Sequence, residues 1–210
     1  MLVLALLMEV VAVSAIFVVR GRSPSVVALA FHFLALSLIY WDQGSQVAAA
    51  VQLTTGLTVC AIFGLTIRNA VIRERVRHGT TWERPPGAGQ RPSPIPVRAS
   101  MLAAATVLAW ALGGSLSYPG AAPGTFPLDT LVYWVAALAL LALTTSRDPV
   151  TNGVFLVLLL NAGQFFYLLL VQNVDAVQLG ISAAVNLLLG MSIAFFSVRL
   201  WSLREGEAIL

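Results

Sequence analysis

Residues 153–171 read GVFLVLLLNAGQFFYLLLV, an uncharged stretch whose most polar side chains are Asn161 and Gln164. As an α-helix rising about 1.5 Å per residue, it would cross nearly all of the roughly 30 Å hydrocarbon core of a bilayer. An apolar run of this length is typical of a transmembrane helix and rare in the core of a soluble domain. The stretch therefore predicts a membrane-spanning segment.

The composition of the whole chain supports the same class. The chain has 210 residues, of which 59% are hydrophobic and 10% are charged, against about 25% charged residues in soluble domains. A water-soluble globule of this size could not hide so much apolar side chain from solvent. This composition excludes a disordered chain, a collagen-like chain, a disulfide scaffold and a nucleic-acid-binding protein. No nucleic-acid partner is therefore expected.

Six further apolar runs accompany the first, and together they predict an all-α membrane bundle of seven transmembrane helices. The run nearest the N-terminus, residues 2–19, lacks a basic N-terminal region and carries Glu9 in its middle. We therefore interpret it as a retained helix rather than a cleaved signal peptide. The predicted spans are residues 2–19, 24–41, 46–67, 99–116, 129–145, 151–172 and 177–198.

The placement of arginine predicts the orientation. The chain contains no lysine, so its 12 basic residues are all arginine. If the N-terminus lies outside, every arginine falls at the inner ends of the spans or in the inner loops. Such an excess on the cytoplasmic side is the strongest orientation signal in a sequence. It predicts a multi-pass protein of a bacterial or archaeal inner membrane, N-terminus out and C-terminus in.

A basic, proline-rich cytoplasmic loop, residues 68–98, divides a three-helix N-terminal part (1–67) from a four-helix C-terminal part (99–210). We expect Arg68 to His78 to continue the third helix, and the segments 85–89 and 92–96 to be non-helical because they are rich in proline. The loop has two interpretations. It is either a docking segment for a cytoplasmic partner or anionic lipid, or a solvated anchor that fixes the topology.

Two ionisable side chains, Glu9 and His32, fall deep inside the predicted spans. The position of each needs a physical explanation, because inserting Asp, Lys or Arg at the centre of a span costs about 2.5–3.5 kcal/mol on insertion scales. At about 1.5 Å per residue, Glu9 lies roughly 16 Å from the inner surface and His32 roughly 15 Å from it. Their helices are joined by a tight turn, so the two side chains are expected to meet near the midplane. They are either a proton relay or a packed, hydrogen-bonded pair.

Neutral amides recur at a similar depth in the last two spans. Asn161 and Gln164 are neighbours on one helical face, and Asn186 lies near the middle of the seventh span. Ser182, Asn186 and Gly190 recur every four residues, a spacing suited to close helix contact. We weigh two roles for these amides: hydrogen bonds that hold helices together, or the lining of a lateral proton path. The candidate proton-path residues are Glu9, His32, Asn161, Gln164 and Asn186.

No residue set in the sequence predicts chemistry of its own. The absence of lysine excludes a Schiff base, and Cys60 is the only cysteine, so no thiolate cluster can form within the chain. His32 and His78 are too few for a haem or zinc site. The sequence contains no phosphate-binding or dinucleotide-binding loop and no metal-ligand spacing. We therefore expect no cofactor, no metal and no catalytic centre in this chain.

The C-terminal stretch resembles the E-type membrane subunit of hydrogenase-4 and, more distantly, the small K-type subunit of respiratory complex I. The similarity rests on Ser146-Arg147-Asp148, on residues 158–164 (LLLNAGQ), on residues 177–181 (VQLGI) and on Arg199-Leu200-Trp201, which follow the last span. It covers about the last sixty residues, and the earlier part fits by its hydropathy pattern.

This resemblance implies a membrane-arm subunit that contacts antiporter-like membrane subunits and a cytoplasmic redox module. It also implies carboxylates of a lateral proton path in the sixth and seventh helices. The sequence departs there, because Leu160 stands near Asn161 where the glutamate is expected, and residues 184–186 contain no acid. This departure leaves two interpretations: the chain is a structural paralogue of that subunit, or it belongs to a complex whose proton path uses Glu9 and His32.

Two functions remain open from the sequence. The first is a subunit, without its own cofactor, of a complex I-like or group-4 hydrogenase-like proton-translocating assembly. Any enzymatic activity would then belong to the whole complex. The alternative is an independent small transporter or channel, for which converging charges and broken helices are expected. Gly113-Gly114 is the one helix break that the sequence suggests.

Overall fold

The computed structural model describes residues 1–19, 21–78, 95–115, 126–146, 148–171 and 175–207. All secondary structure in these ranges is helical. Seven helices are described: α1 (Leu2–Val18), α2 (Arg22–Asp42), α3 (Gln46–His78), α4 (Ile95–Ser115), α5 (Phe126–Thr145), α6 (Pro149–Leu170) and α7 (Ala176–Glu207).

Six of the described helices, α2 to α7, are long and apolar enough to span a membrane. The predicted helical membrane bundle is thereby confirmed. The first helix is apolar as well, but its 17 residues extend only about 25 Å at 1.5 Å per residue. It is therefore shorter than the other six and slightly shorter than a typical hydrocarbon core.

Helices that follow one another in sequence also pack side by side, from α1 to α3 and again from α4 to α7. The two series are joined because α3 packs along α7, and α2 also contacts α6. The predicted N-terminal and C-terminal parts thus share one apolar core. Phe33, Phe63, Leu138 and Phe165 are among its fully buried side chains.

Described arginines gather at one end of the bundle, which we call the arginine end. Arg22 Nε and Nη2 donate to Asp148 Oδ1 at 3.1 and 3.0 Å, and the ring of Trp201 lies 4.9 Å from the Arg22 guanidinium carbon. Arg98 donates to the carbonyls of Phe17 and Val18 at the end of α1. A cation is favourable there because the last carbonyls of a helix have no partner within the helix.

Asp148 also begins α6. Its Oδ2 accepts hydrogen bonds from the backbone N–H of Thr151 at 3.0 Å and from the Thr151 hydroxyl at 2.9 Å. Pro149 occupies the first turn, where its missing N–H has no effect on the helical ladder. One carboxylate therefore caps α6 and ties it to the start of α2.

One sequence prediction about helix ends is wrong. The segment 92–96 was expected to be non-helical, but α4 begins at Ile95 and includes Pro96. Proline is tolerated in a first turn because its fixed φ suits the helix and no internal bond is lost. Gly113-Gly114, the one plausible helix break in the sequence, lies within α4, as the predicted span 99–116 implies. There Gly113 leaves room for Thr130 of α5.

The continuation of the third helix from Arg68 to His78 is confirmed. The other proline-rich segment, 85–89, and residues 92–94 lie outside the described residues.

Glycines allow helices to approach closely inside the bundle. A Cβ at Gly56 of α3 would collide with the ring of Phe33 of α2, and one at Gly153 of α6 would collide with Ile193 of α7. Small residues at helix contacts are the usual means of tight packing in membranes, where lipid supplies no hydrophobic drive between helices.

We predict that Gly56→Ala destabilises the bundle by about 1–3 kcal/mol, the usual penalty for overpacking a filled core. The matched control is Gly163→Ala in α6, where an added Cβ would meet nothing within 4 Å. Unfolding of the purified variants in mixed detergent micelles measures the difference. Equal stability of the two variants would contradict the close approach of α2 and α3.

Candidate functional site

The most deeply buried ionisable groups of the described structure form a pair. Glu9 of α1 is 0% exposed and His32 of α2 is 1% exposed, and the distance between Glu9 Oε1 and His32 Nδ1 is 2.6 Å. The two helices pack side by side, and α1 ends at Val18 and α2 begins at Arg22, so positions about ten residues from these ends are level. The meeting expected from their estimated depths is confirmed.

The second ring nitrogen of His32 contacts the amides of α6 and α7. Asn161 Nδ2 lies 3.1 Å from His32 Nε2. Asn186 Nδ2 lies 3.1 Å from Asn161 Oδ1 and 3.2 Å from Gln164 Oε1. All five predicted residues are therefore connected by hydrogen bonds, and we call Glu9, His32, Asn161, Asn186 and Gln164 the polar chain.

The directions of these hydrogen bonds favour one tautomer of His32. Asn161 Oδ1 faces the amide nitrogens of Asn186 and of Gln52, the latter at 3.4 Å. Because that oxygen serves two donors, Asn161 presents its NH₂ group to His32. Nε2 is then the acceptor, and the Nδ1–H group donates to Glu9 Oε1.

A proton added at His32 Nε2 would require a rearrangement. The added N–H would point at the NH₂ group of Asn161, and relief requires the Asn161 amide to turn so that its oxygen faces the ring. That turn reverses the direction of the hydrogen bonds to Gln52 and Asn186. The charge on His32 and the orientation of the neighbouring amides are therefore coupled by geometry.

Two acceptors in this region have no hydrogen-bond partner among the described residues: Glu9 Oε2 and Asn186 Oδ1. A small cavity of about 10 Å³ lies beside Glu9, His32 and Asn161, with Phe165 in its wall. This volume is at the lower limit for one water molecule. The site is thus almost completely filled by protein.

A larger cavity of about 60 Å³ extends the polar chain towards the end opposite the arginines. Gln52 and Gln164 line its inner part, and Gln164 Nε2 also donates to the carbonyl of Ser182 at 3.4 Å. Tyr167 and Gln178 line its outer part, where Gln178 Nε2 donates to the Tyr167 hydroxyl at 2.6 Å. Tyr167 is 41% exposed, so polar groups run from the buried pair to the periphery.

The described hydrogen bonds of the polar chain do not continue from the pair to the arginine end, because the buried polar side chains on that side, such as Ser25 and Ser197, form no bond to it. Ile16 of α1, Leu29 of α2 and Val154 and Val157 of α6 lie between the pair and that end, and all four are fully buried. Buried aliphatic side chains offer a proton or a water no hydrogen-bonding partner. In the described residues, the polar chain is therefore continuous towards one end only.

Gln52 and Asp129 are among the buried polar residues that sequence reasoning did not single out. Gln52 of α3, 7% exposed, joins the polar chain through Asn161; its amide inside an otherwise apolar run was the available signal. Asp129, 4% exposed, was placed at the membrane surface because the fifth span was expected to begin there. In fact α5 begins at Phe126, which places Asp129 inside the first turn.

The described side chains provide no group of three or more His, Cys, Asp and Glu residues that could hold a metal ion. Cys60 is buried and unpaired with another cysteine. The chemistry available at the site is therefore that of the pair itself: a carboxyl group and an imidazole, each able to hold or release a proton, beside amides that orient hydrogen bonds.

Comparison with known proteins gives no relative: no protein-family model, no curated protein and no solved structure matches the chain. The resemblance to the E-type hydrogenase-4 subunit therefore stays a prediction from the sequence.

We predict that Glu9→Ala lowers the free energy of unfolding by about 1–3 kcal/mol, because it leaves the buried His32 Nδ1–H without an acceptor. Glu9→Gln should lower it less, since the amide oxygen can still accept that hydrogen bond. Unfolding in mixed detergent micelles compares the two variants. An alanine variant as stable as the glutamine variant would contradict the bond.

The tautomer of His32 can be measured directly by ¹⁵N NMR. In a His78→Gln background His32 is the only histidine, and at neutral pH we expect a protonated Nδ1 and a bare Nε2. A proton on Nε2 would show that the amide of Asn161 has the opposite orientation.

Proposed function

We propose that the chain is an integral membrane subunit of a proton-translocating assembly of the complex I-like or group-4 hydrogenase-like kind. In this proposal the polar chain is part of the proton path, and the chain carries no cofactor of its own. The observation that carries the proposal is the fully buried Glu9–His32 pair, joined without interruption to Asn161, Asn186 and Gln164.

The energetics of burial favour a functional role for the pair. A buried carboxyl and imidazole gain little net stability from each other, because the desolvation of two polar groups offsets most of the attraction between them. Ionisable groups inside membrane spans usually mark ion pathways or proton relays. A carboxyl and an imidazole in hydrogen-bond contact are the groups best suited to pass a proton between them.

The outer surface of the bundle favours an assembly. The spans of α4 and α7 are the least buried of the six, with 17% and 11% of their residues buried. Their exposed side chains include Trp110, Leu188 and Phe195. A membrane helix that is apolar on every face packs against lipid or against other membrane subunits, and the resemblance to a membrane-arm subunit supplies the expected partners: antiporter-like subunits and a cytoplasmic redox module.

An independent small transporter or channel is the second candidate. The observation that favours it is the cavity of about 60 Å³ that continues the polar chain to the periphery. Such a cavity is what a path for water or protons through a single chain would use.

The first test is a mild-detergent pull-down of the tagged chain from its native membrane, analysed by native gel and mass spectrometry. Co-purification of antiporter-like and cofactor-carrying subunits is the expected result. Recovery of the chain alone, or only with copies of itself, would contradict the assembly. Proton flux through the chain alone in liposomes would then decide for the transporter.

The second test is Glu9→Gln in the purified assembly. We expect the variant to assemble, because the hydrogen bond to His32 survives, but to lose proton transport, because an amide cannot release and regain a proton. Asp42→Asn, which removes an exposed acid at the end of α2, is the matched control. Transport by the Glu9→Gln variant equal to that of the control would refute a relay at this pair.

A further inference from the structure

A groove lies between α2 and α3 at the arginine end, apart from the polar chain. Its volume is about 610 Å³, within the range of about 300–1,000 Å³ of sites that hold small molecules. Val26 and Val27 line it from α2, and Ile67 lines it from α3. The polar side chains in its wall are Ser23 and Arg68.

Gly64 lines the groove one helical turn from Arg68 on α3, and a Cβ added there would meet nothing within 4 Å. At Gly56, by contrast, an added Cβ would collide with Phe33 of α2. The groove therefore has room for a larger side chain at position 64.

Arg68 supplies the positive charge at this groove. Among the side chains that the structure describes, none forms an ion pair with Arg68, whereas Arg22 nearby is paired with Asp148. The N-terminus of α2, beside Ser23, has no side-chain cap, so its free N–H groups add partial positive charge. Three further arginines, at positions 73, 75 and 77, follow on the sequence of α3.

We propose that this groove binds one anionic phospholipid. An acyl chain lies along Val26, Val27 and Ile67, and the phosphate contacts the Arg68 guanidinium and the Ser23 hydroxyl. The charge selects the lipid, because unpaired arginines between helices at the level of the headgroups attract anionic rather than zwitterionic lipid. A long arginine side chain can cover apolar surface with its stem while its head reaches the phosphate.

The occupant is a lipid rather than another membrane helix because no described side chain neutralises Arg68. A helix seated in the groove would have to supply an acid for Arg68 or leave it buried without a partner, which is costly. A phospholipid supplies both a phosphate for Arg68 and Ser23 and acyl chains for the valine and isoleucine side chains of the groove. This proposal is independent of proton transport.

The test is native mass spectrometry of the full chain from nanodiscs that contain equal amounts of phosphatidylglycerol and phosphatidylethanolamine. We expect the wild type to retain phosphatidylglycerol in preference to phosphatidylethanolamine. Arg68→Gln should weaken that retention about fivefold, which corresponds to about 1 kcal/mol for one arginine near the surface. Gly64→Phe should weaken it by filling the groove without a change of charge.

Arg98→Gln on α4 is the control, since it removes the same charge at the same end of the bundle from a helix that does not line the groove. It should retain phosphatidylglycerol as the wild type does. Equal retention of the two lipids by the wild type, an equal loss in Arg98→Gln and Arg68→Gln, or full retention by a folded Gly64→Phe would each overturn the proposal. If Gly64→Phe does not fold, the comparison of the two arginine variants decides alone.

Discussion

The contact of 2.6 Å between Glu9 and His32 constrains the rest of the bundle. Neither side chain can be left without partners in an apolar interior, because an unsatisfied polar group there costs several kcal/mol. The pair fixes α1 against α2, and the second nitrogen of His32 then requires a donor from a third helix. Asn161 supplies it, and the remaining hydrogen-bonding capacity of Asn161 brings in α3 and α7. Hydrogen bonds that begin at this one buried pair thus link five of the described helices, α1, α2, α3, α6 and α7.

Two contacts at different depths hold the register of α6 against α2. At the arginine end Arg22 meets Asp148, and near the midplane His32 meets Asn161. His32 follows Arg22 by ten residues and Asn161 follows Asp148 by thirteen, or roughly 15 and 20 Å along the two helices. A sliding or rotation of α6 that preserves one contact would break the other. Apolar packing alone specifies register weakly, because one aliphatic surface fits another at several offsets, so the polar contacts supply the specificity.

The sequence predicted the helices, the gathering of arginine at one end and the meeting of Glu9 with His32, because each depends on distance along the chain. It could not predict that His32 would meet Asn161, since that depends on the order of the helices around the bundle. Helices that are apolar on every side carry little information about which face is turned inward. Gln52 was overlooked for that reason, and Asp129 because the start of α5 was placed three residues too late.

The one-sided continuity of the polar chain separates the two proposed functions. A channel made by this chain alone needs a route across both halves of the membrane, but the buried layer of Ile16, Leu29, Val154 and Val157 separates the pair from the arginine end. The buried polar side chains described on that side, such as Ser25 and Ser197, form no hydrogen bond to the pair. Under the proposal of a proton path, onward transfer would then require either a movement of α6 or a protonatable group brought by a neighbouring subunit. A subunit of an assembly needs only half of such a path, so the one-sided chain favours the assembly over the channel.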